Sequence, residues 1–102
     1  MASIYTHGIW RVRAGQEDEF VAAWQELAEW ALNEIDGAQG ARLLQNRDEP
    51  THFYTFGPWD DAASVQRFRE HPGFTERMAR VRETLQDGDL HTLEVRLEIG
   101  NP

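Results

Sequence analysis

Hydrophobic and polar positions along this chain change period several times, and each change marks an element. Between residues 16 and 35, Phe20, Trp24, Leu27, Ala28 and Ala31 recur at i, i+4, i+7, i+8 and i+11, so one face of a helix carries all of them. Val21 and Trp30 widen that stripe on its two sides, while Asp18, Gln25, Glu26, Glu29 and Asn33 fall opposite. Glu17, Asp18 and Glu19 put negative charge in the first turn, where it complements the helix dipole. Asp36-Gly37 then supplies a stop, with glycine available for a left-handed C-terminal position.

Ahead of this helix, residues 4–13 are rich in β-branched and aromatic types and end at Ala14-Gly15, which predicts a strand. Residues 38–47, centred on Arg42-Leu43-Leu44, predict a second strand, and Asp48-Glu49-Pro50 a turn into a third over 51–57. In that third strand His52, Tyr54 and Phe56 point one way, Phe53 and Thr55 the other. Asp60 is the expected N-cap of a short helix containing Val65 and Phe68. His71-Pro72-Gly73 breaks it, and Pro72 suits the first turn of a further helix whose buried face is Phe74, Met78, Val81 and Leu85. Gln86-Asp87-Gly88-Asp89 reads as a stop. Residues 90–99 read as the last strand, with Leu93, Val95, Leu97 and Ile99 alternating with Thr92, Glu94, Arg96 and Glu98.

The order β-α-β-β-α-β is the split-βαβ, ferredoxin-like α+β arrangement: four antiparallel strands with helices on one face, here a single domain over 1–102. With aromatics on both sides of the third strand, the uncovered face would leave an exposed apolar patch on a monomer. A homodimer with two sheets packed face to face removes that patch.

Composition narrows the function classes. A net charge of −8 and a pI near 4.8 argue against nucleic acid and anionic membrane surfaces as partners. All ten basic residues are Arg, and there is no Cys, so disulfides, thiolate metal sites and a cysteine nucleophile are out of reach. No signal pattern opens the chain and no apolar run approaches the ~20 residues of a membrane span, so a cytoplasmic domain is expected. The polar candidates for chemistry are His7, His52, Tyr54, His71 and His91. None forms a His-x-His or His-x-x-x-His pair, so no metal is expected. His91 shares the parity of Leu93 and Val95 and is expected on the helix-covered face. Asp60-Asp61 is better explained by capping than by carboxylate catalysis. Arg77, Arg80 and Arg82, with Glu76 and Arg80 in i,i+4 pairing, read as a solvated helix face.

Four segments together resemble a known family. They are Val12-Arg13-Ala14-Gly15-Gln16-Glu17-Asp18-Glu19-Phe20, Phe56-Gly57-Pro58-Trp59 leading into Asp60, Phe68-Arg69-Glu70-His71-Pro72-Gly73-Phe74, and Thr92-Leu93-Glu94-Val95. Over nearly its whole length the chain resembles the antibiotic-biosynthesis monooxygenase domain, a branch of the dimeric α+β barrel proteins. That family includes cofactor-independent monooxygenases of polyketide phenols, quinol monooxygenases and haem-degrading enzymes. The haem-degrading pattern is not matched: its asparagine position falls near His7-Gly8, its tryptophan position at Phe68 and its iron-ligating histidine position near Met78. His71, the nearest spare histidine, lies in the interhelical link.

The resemblance implies a cofactor-free monooxygenase acting on a phenolic, quinol or polyketide-like aromatic substrate with dioxygen. Two alternatives stay open: a non-catalytic ligand-binding barrel, and a cofactor-free isomerase or cyclase. Such an oxygenase needs a dry pocket, a proton acceptor and donors for developing negative charge. The resemblance places the pocket between sheet and helices, with Trp24, Leu27, Trp59, Phe68, Phe74 and Met78 as candidate walls. His52, with Tyr54 beside it in parity, is the first candidate acceptor, and His91 the second.

Overall fold

A computed structural model describes residues 3–100. The elements run β1 (Ile4–Val12), α1 (Glu17–Glu34), β2 (Arg42–Gln45), β3 (His52–Trp59), α2 (Ala62–Glu70), α3 (Pro72–Arg82) and β4 (Leu85–Glu94). The strands form one antiparallel sheet in the order β2-β3-β1-β4. This is the expected ferredoxin-like α+β arrangement.

Register assigns every strand residue to a face, because directly paired residues of an antiparallel ladder project to the same side. Trp10 pairs with Phe53 and Gly88, Gly8 with Thr55 and Leu90, and Thr6 with Gly57 and Thr92. This is the helix-covered face. Trp10, Val12, Phe20, Leu27, Phe53, Met78, Val81 and Leu85 cluster there, and Phe20 and Val81 are wholly buried. A second cluster of Ala31, Ile35, Trp59 and Val65 fastens the end of α1 to β3 and α2. The opposite face carries Tyr5, His7, Ile9 and Arg11 against Pro58, Phe56, Tyr54 and His52. No helix covers it.

Local chemistry explains the helix boundaries. Asp61, not Asp60, caps α2: its carboxylate accepts Ser64 N–H at 2.8 Å and the Ser64 hydroxyl at 2.7 Å. These bonds hold the Asp61 carboxyl below its ordinary pKa, with help from Arg67. Asp60 instead accepts from Gln39 Nε2 at 2.6 Å. His71 caps α3, its Nδ1 accepting Gly73 N–H at 2.9 Å, and Pro72 opens the helix. Its ring also packs edge-on to Trp30, 4.9 Å between centroids.

The last strand departs from expectation. It begins five residues early, at Leu85, and ends at Glu94 rather than 99. Gly88, which reads as a stop, sits inside it opposite Trp10. At the far end β1 begins at Ile4, opposite Glu94, and one further bond, Val95 N–H to Ser3 C=O at 2.8 Å, closes the ladder among the described residues. Leu97 and Ile99 keep their alternation but are 77% and 80% exposed. The second strand is likewise short, because only Arg42–Gln45 pair with β3, plus an isolated bridge from Ala38 to Trp59.

Candidate active site

Two glycines make room for an indole. Trp10 lies over Gly8 of its own strand and Gly88 of β4: a side-chain carbon on Gly8 would fall 2.5 Å from the indole Cε2, and one on Gly88 2.7 Å from Cε3. A larger residue at either place would push the ring off the sheet. Trp10 Nε1–H donates to Thr55 Oγ1 at 3.0 Å, which satisfies a buried N–H. Trp59 Nε1–H donates to Thr6 Oγ1 at 2.9 Å. Each tryptophan of the β1–β3 pair is thus tied to a threonine of the other strand, and the two indoles set the floor of a cavity under the helices.

The walls come from the helices. From α1, Trp24 and Leu27 alternate with Ala28 and Ala31, whose small side chains leave space open beneath. From α2 and α3 come Phe68, Phe74 and Met78. Phe68 packs on Trp59 at 5.0 Å and edge-on against Phe74 at 4.7 Å, so the two helices and β3 share one aromatic corner. The cavity volume is about 70 Å³. That is under half the ~150 Å³ of an apolar cavity that admits benzene. A shallow apolar groove of about 330 Å³ continues from it between α1 and β2, sharing Trp24, Ala28, Leu32, Gly40 and Ala41. An aromatic ligand therefore fits only by extending into this groove or by moving a wall, and Met78 is the most adaptable wall.

Few polar groups meet the cavity. Thr55 Oγ1 accepts from Trp10, which leaves its hydroxyl hydrogen to be donated elsewhere. Thr6 Oγ1 accepts from Trp59 and makes a long 3.5 Å contact to Gly57 C=O. Among the described residues Arg69 is the one arginine bordering the space: Nη1 donates to Thr92 Oγ1 at 2.8 Å, while Nη2 is buried without a partner. Desolvation lowers the Arg69 pKa from its ordinary value, yet a guanidinium stays charged at neutral pH. Among the described residues no group of three or more His, Asp or Glu is placed to hold a metal ion.

The six side chains expected as walls, Trp24, Leu27, Trp59, Phe68, Phe74 and Met78, all border this cavity. The three residues expected to carry proton transfer, His52, Tyr54 and His91, do not. His52 and Tyr54 lie on the open face, as their parity indicates, and His52 Nδ1 pairs with Glu49 at 3.0 Å. His91 was expected on the helix-covered face, but it pairs with His7 on the open one. The expectation took Leu93 and Leu97 as core positions, and both are exposed. His7 borders the cavity from β1; its Nδ1 lies 3.0 Å from Thr55 C=O and its ring stacks on Phe56 at 4.6 Å. His71 is spent as a helix cap. Sequence reasoning missed Trp10 and Arg69. Trp10 shares the parity of buried Val12, and Arg69 stands four residues after buried Val65, so a stricter periodicity count finds both.

Comparisons with known proteins agree with this architecture. The structure of SnoaB, a cofactor-independent oxygenase from Streptomyces nogalater, superposes with a TM-score of 0.88 at 19% identity, covering 99% of this chain and 100% of that one. A conserved protein from Methanosarcina mazei superposes with a TM-score of 0.83 at 18% identity, covering 94% and 95%. At such identities the likeness establishes fold. No curated protein matches the sequence significantly. The profile of one family matches residues 3–80, more than half of the chain. By that match the chain belongs to the antibiotic biosynthesis monooxygenase family.

Proposed function

We propose that this protein is a cofactor-independent monooxygenase that takes a phenolic, quinol or polyketide-like aromatic ring into the cavity between sheet and helices and oxidises it with dioxygen. The observation that carries the reading is the cavity itself: two indoles below, Phe68 and Phe74 beside, and almost no polar lining. Family membership and the fold shared with a cofactor-independent oxygenase support it.

The chemistry asks for little machinery. A phenol C–H becomes a quinone C=O with the loss of two hydrogens; one atom of dioxygen enters the ring and the other leaves as water. The substrate supplies all the electrons. The phenolic proton passes to solvent water, the resulting anion gives one electron to dioxygen, and radical recombination forms a C–O bond. The peroxide regains a proton from water, and its O–O bond breaks as water leaves with the ring hydrogen. The chain contributes aromatic walls that orient the ring, exclusion of water, and N–H and O–H donors for negative charge. Thr55 and Arg69 are the donors nearest to hand. His52, Tyr54 and His91 take part only if a ring binds on the open face.

Oxygen uptake with an anthrone or a naphthol, in the presence of a metal chelator and without added flavin or nicotinamide, tests the reaction. Conversion that is equal under nitrogen points to the isomerase or cyclase alternative. Tight binding without turnover points to a ligand-binding barrel. Either result overturns the proposal.

The same reading includes a homodimer closed through the open sheet face. Ile9, Leu44 and Leu93 are exposed there among the rings of Tyr5, Tyr54 and Phe56. The alternating segment after the end of β4 adds exposed Leu97 and Ile99. Light scattering is expected to give twice the 11.8 kDa of one chain; a monomer mass at micromolar concentration rules this out.

A further inference from the structure

The cavity holds a feature that an apolar ring does not use. Arg69 reaches from α2 to β4, where Nη1 donates to Thr92 Oγ1, and among the described residues no carboxylate pairs with it. Its Nη2 has no hydrogen-bond partner and is shielded from water. A buried guanidinium nitrogen without an acceptor carries a desolvation cost that is offset once an oxyanion arrives. The other buried arginine nitrogen without a partner, Nε of Arg77, has a different explanation: that guanidinium stacks over Trp30 at 4.7 Å and donates to Gly73 C=O. Arg77 does not border the cavity, and Arg69 does.

We infer that Arg69 is the specificity-determining anchor of this site, and that the cavity takes an aromatic oxyanion whose charged oxygen is held against the Arg69 guanidinium. The inference rests on the cavity being the ligand site. Thr92 acts as the strut: with one end of the fork engaged, the remaining N–H groups of Arg69 are free to turn toward the ligand. The net charge of −8 does not oppose this, because the field that matters to a ligand inside the fold is that of the nearest unpaired charge. The anionic oxygen has two sources, a carboxylate on the ring or an ionised ring hydroxyl. Both present the same chemistry to a guanidinium.

Quenching of tryptophan fluorescence by naphthalene probes separates them. For the carboxylate, wild-type protein is expected to bind 2-naphthoate about 10- to 100-fold more tightly than neutral 2-methoxynaphthalene, the difference made by one charge-assisted hydrogen bond. For the ring hydroxyl, bound 2-naphthol is expected to show its ionised absorption band at lower pH than free 2-naphthol. One of these two results is required. Arg69→Gln abolishes the preference while leaving 2-methoxynaphthalene binding intact, and Arg80→Gln, the same charge change on the outer face of α3, preserves it. The wild-type comparison needs no variant, so it decides even if Arg69→Gln does not fold.

Equal binding of charged and neutral probes with no shift in ionisation overturns the anchor, as does a preference that survives Arg69→Gln. Failure of every probe to bind overturns the anchor together with the cavity reading. An intact anion preference without oxygen uptake sinks the monooxygenase reading and leaves the anchor standing.

Discussion

The two faces of the sheet are made from the same strands in strict alternation, yet they end in opposite states. On β3, Phe53 is 2% exposed against Phe20, while its neighbour Tyr54 faces away from the helices, half-buried. The covered face holds large side chains, the Trp10 indole filling the room over Gly8 and Gly88, and a space remains beneath Ala28 and Ala31. The open face holds the histidines and tyrosines that look most like chemistry, with no helix of the chain over them. Residue type alone points to the open face, whereas the cavity lies on the other. The cavity on the covered side is lined by residues that read as ordinary core, with few polar groups among them.

The largest way to break the comparison is to truncate a pair of neighbours across the faces. Phe53→Ala should cost about 3–5 kcal/mol, a large part of the stability of a domain this size. Tyr54→Ala, one residue on, should cost under ~1 kcal/mol in a dilute monomer and act on self-association instead. Chemical denaturation of both variants at two protein concentrations checks this; equal losses would mean that the faces are not distinct.

Proton transfer gives the next contrast. If the open-face set carries it, His52→Ala or His91→Ala should lower turnover by about 10²–10⁴-fold. The cavity geometry instead expects changes of no more than about twofold for these two variants, since neither histidine reaches the space under the helices. Steady-state oxygen uptake decides between the faces.

A charge on the open face should separate association from folding. Ile9→Asp, alone or with Leu93→Asp, is expected to halve the mass seen by light scattering while the circular dichroism spectrum is retained. A dimer that survives both changes would move the interface elsewhere. On the covered face, Gly8→Ala forces Trp10 away and should cost about 1–3 kcal/mol while narrowing the cavity. A thermal melt unchanged from wild type would show that the indole has room to shift.

The smallest effect sharpens the account of α2. Asp61→Ala removes the cap on Ser64 and should lower Tm by about 5 °C, whereas Asp60→Ala should leave it nearly unchanged. The Asp61 carboxyl has a folded pKa below its unfolded one, so its contribution is present above the unfolded value and fades as pH falls through the folded value. The difference between wild type and Asp61→Ala should therefore close in acid, below the ordinary carboxylate range. A difference that persists there would assign the effect to something other than the ionised cap.

How much of this was legible beforehand varies by element, for identifiable reasons. The α1 stripe and the break at His71-Pro72-Gly73 were readable, because helix faces and caps follow from local spacing and local hydrogen bonds. The β4 boundaries were not. Alternation over 93–99 is a statement about side chains, whereas a strand exists only where another strand offers its backbone, and β1 runs out at Ile4. Gly88 misled in the same way: beside Asp87 and Asp89 it looks like a turn, and only the position of Trp10 shows that the glycine is required inside a strand.

The candidate site divides along the same line. The sequence by itself determined the order of elements, the apolar stripe of each helix and the supply of aromatic side chains, since these depend on periods of two and 3.6 residues within a segment. Tertiary structure alone decided that His91 faces away from the helices and that Trp10 and Trp59 are tied to Thr55 and Thr6. It also decided that an arginine from α2 ends beside the cavity with a nitrogen unpaired. Those outcomes depend on register between strands and on the docking of helices far apart in the chain. No local period encodes either.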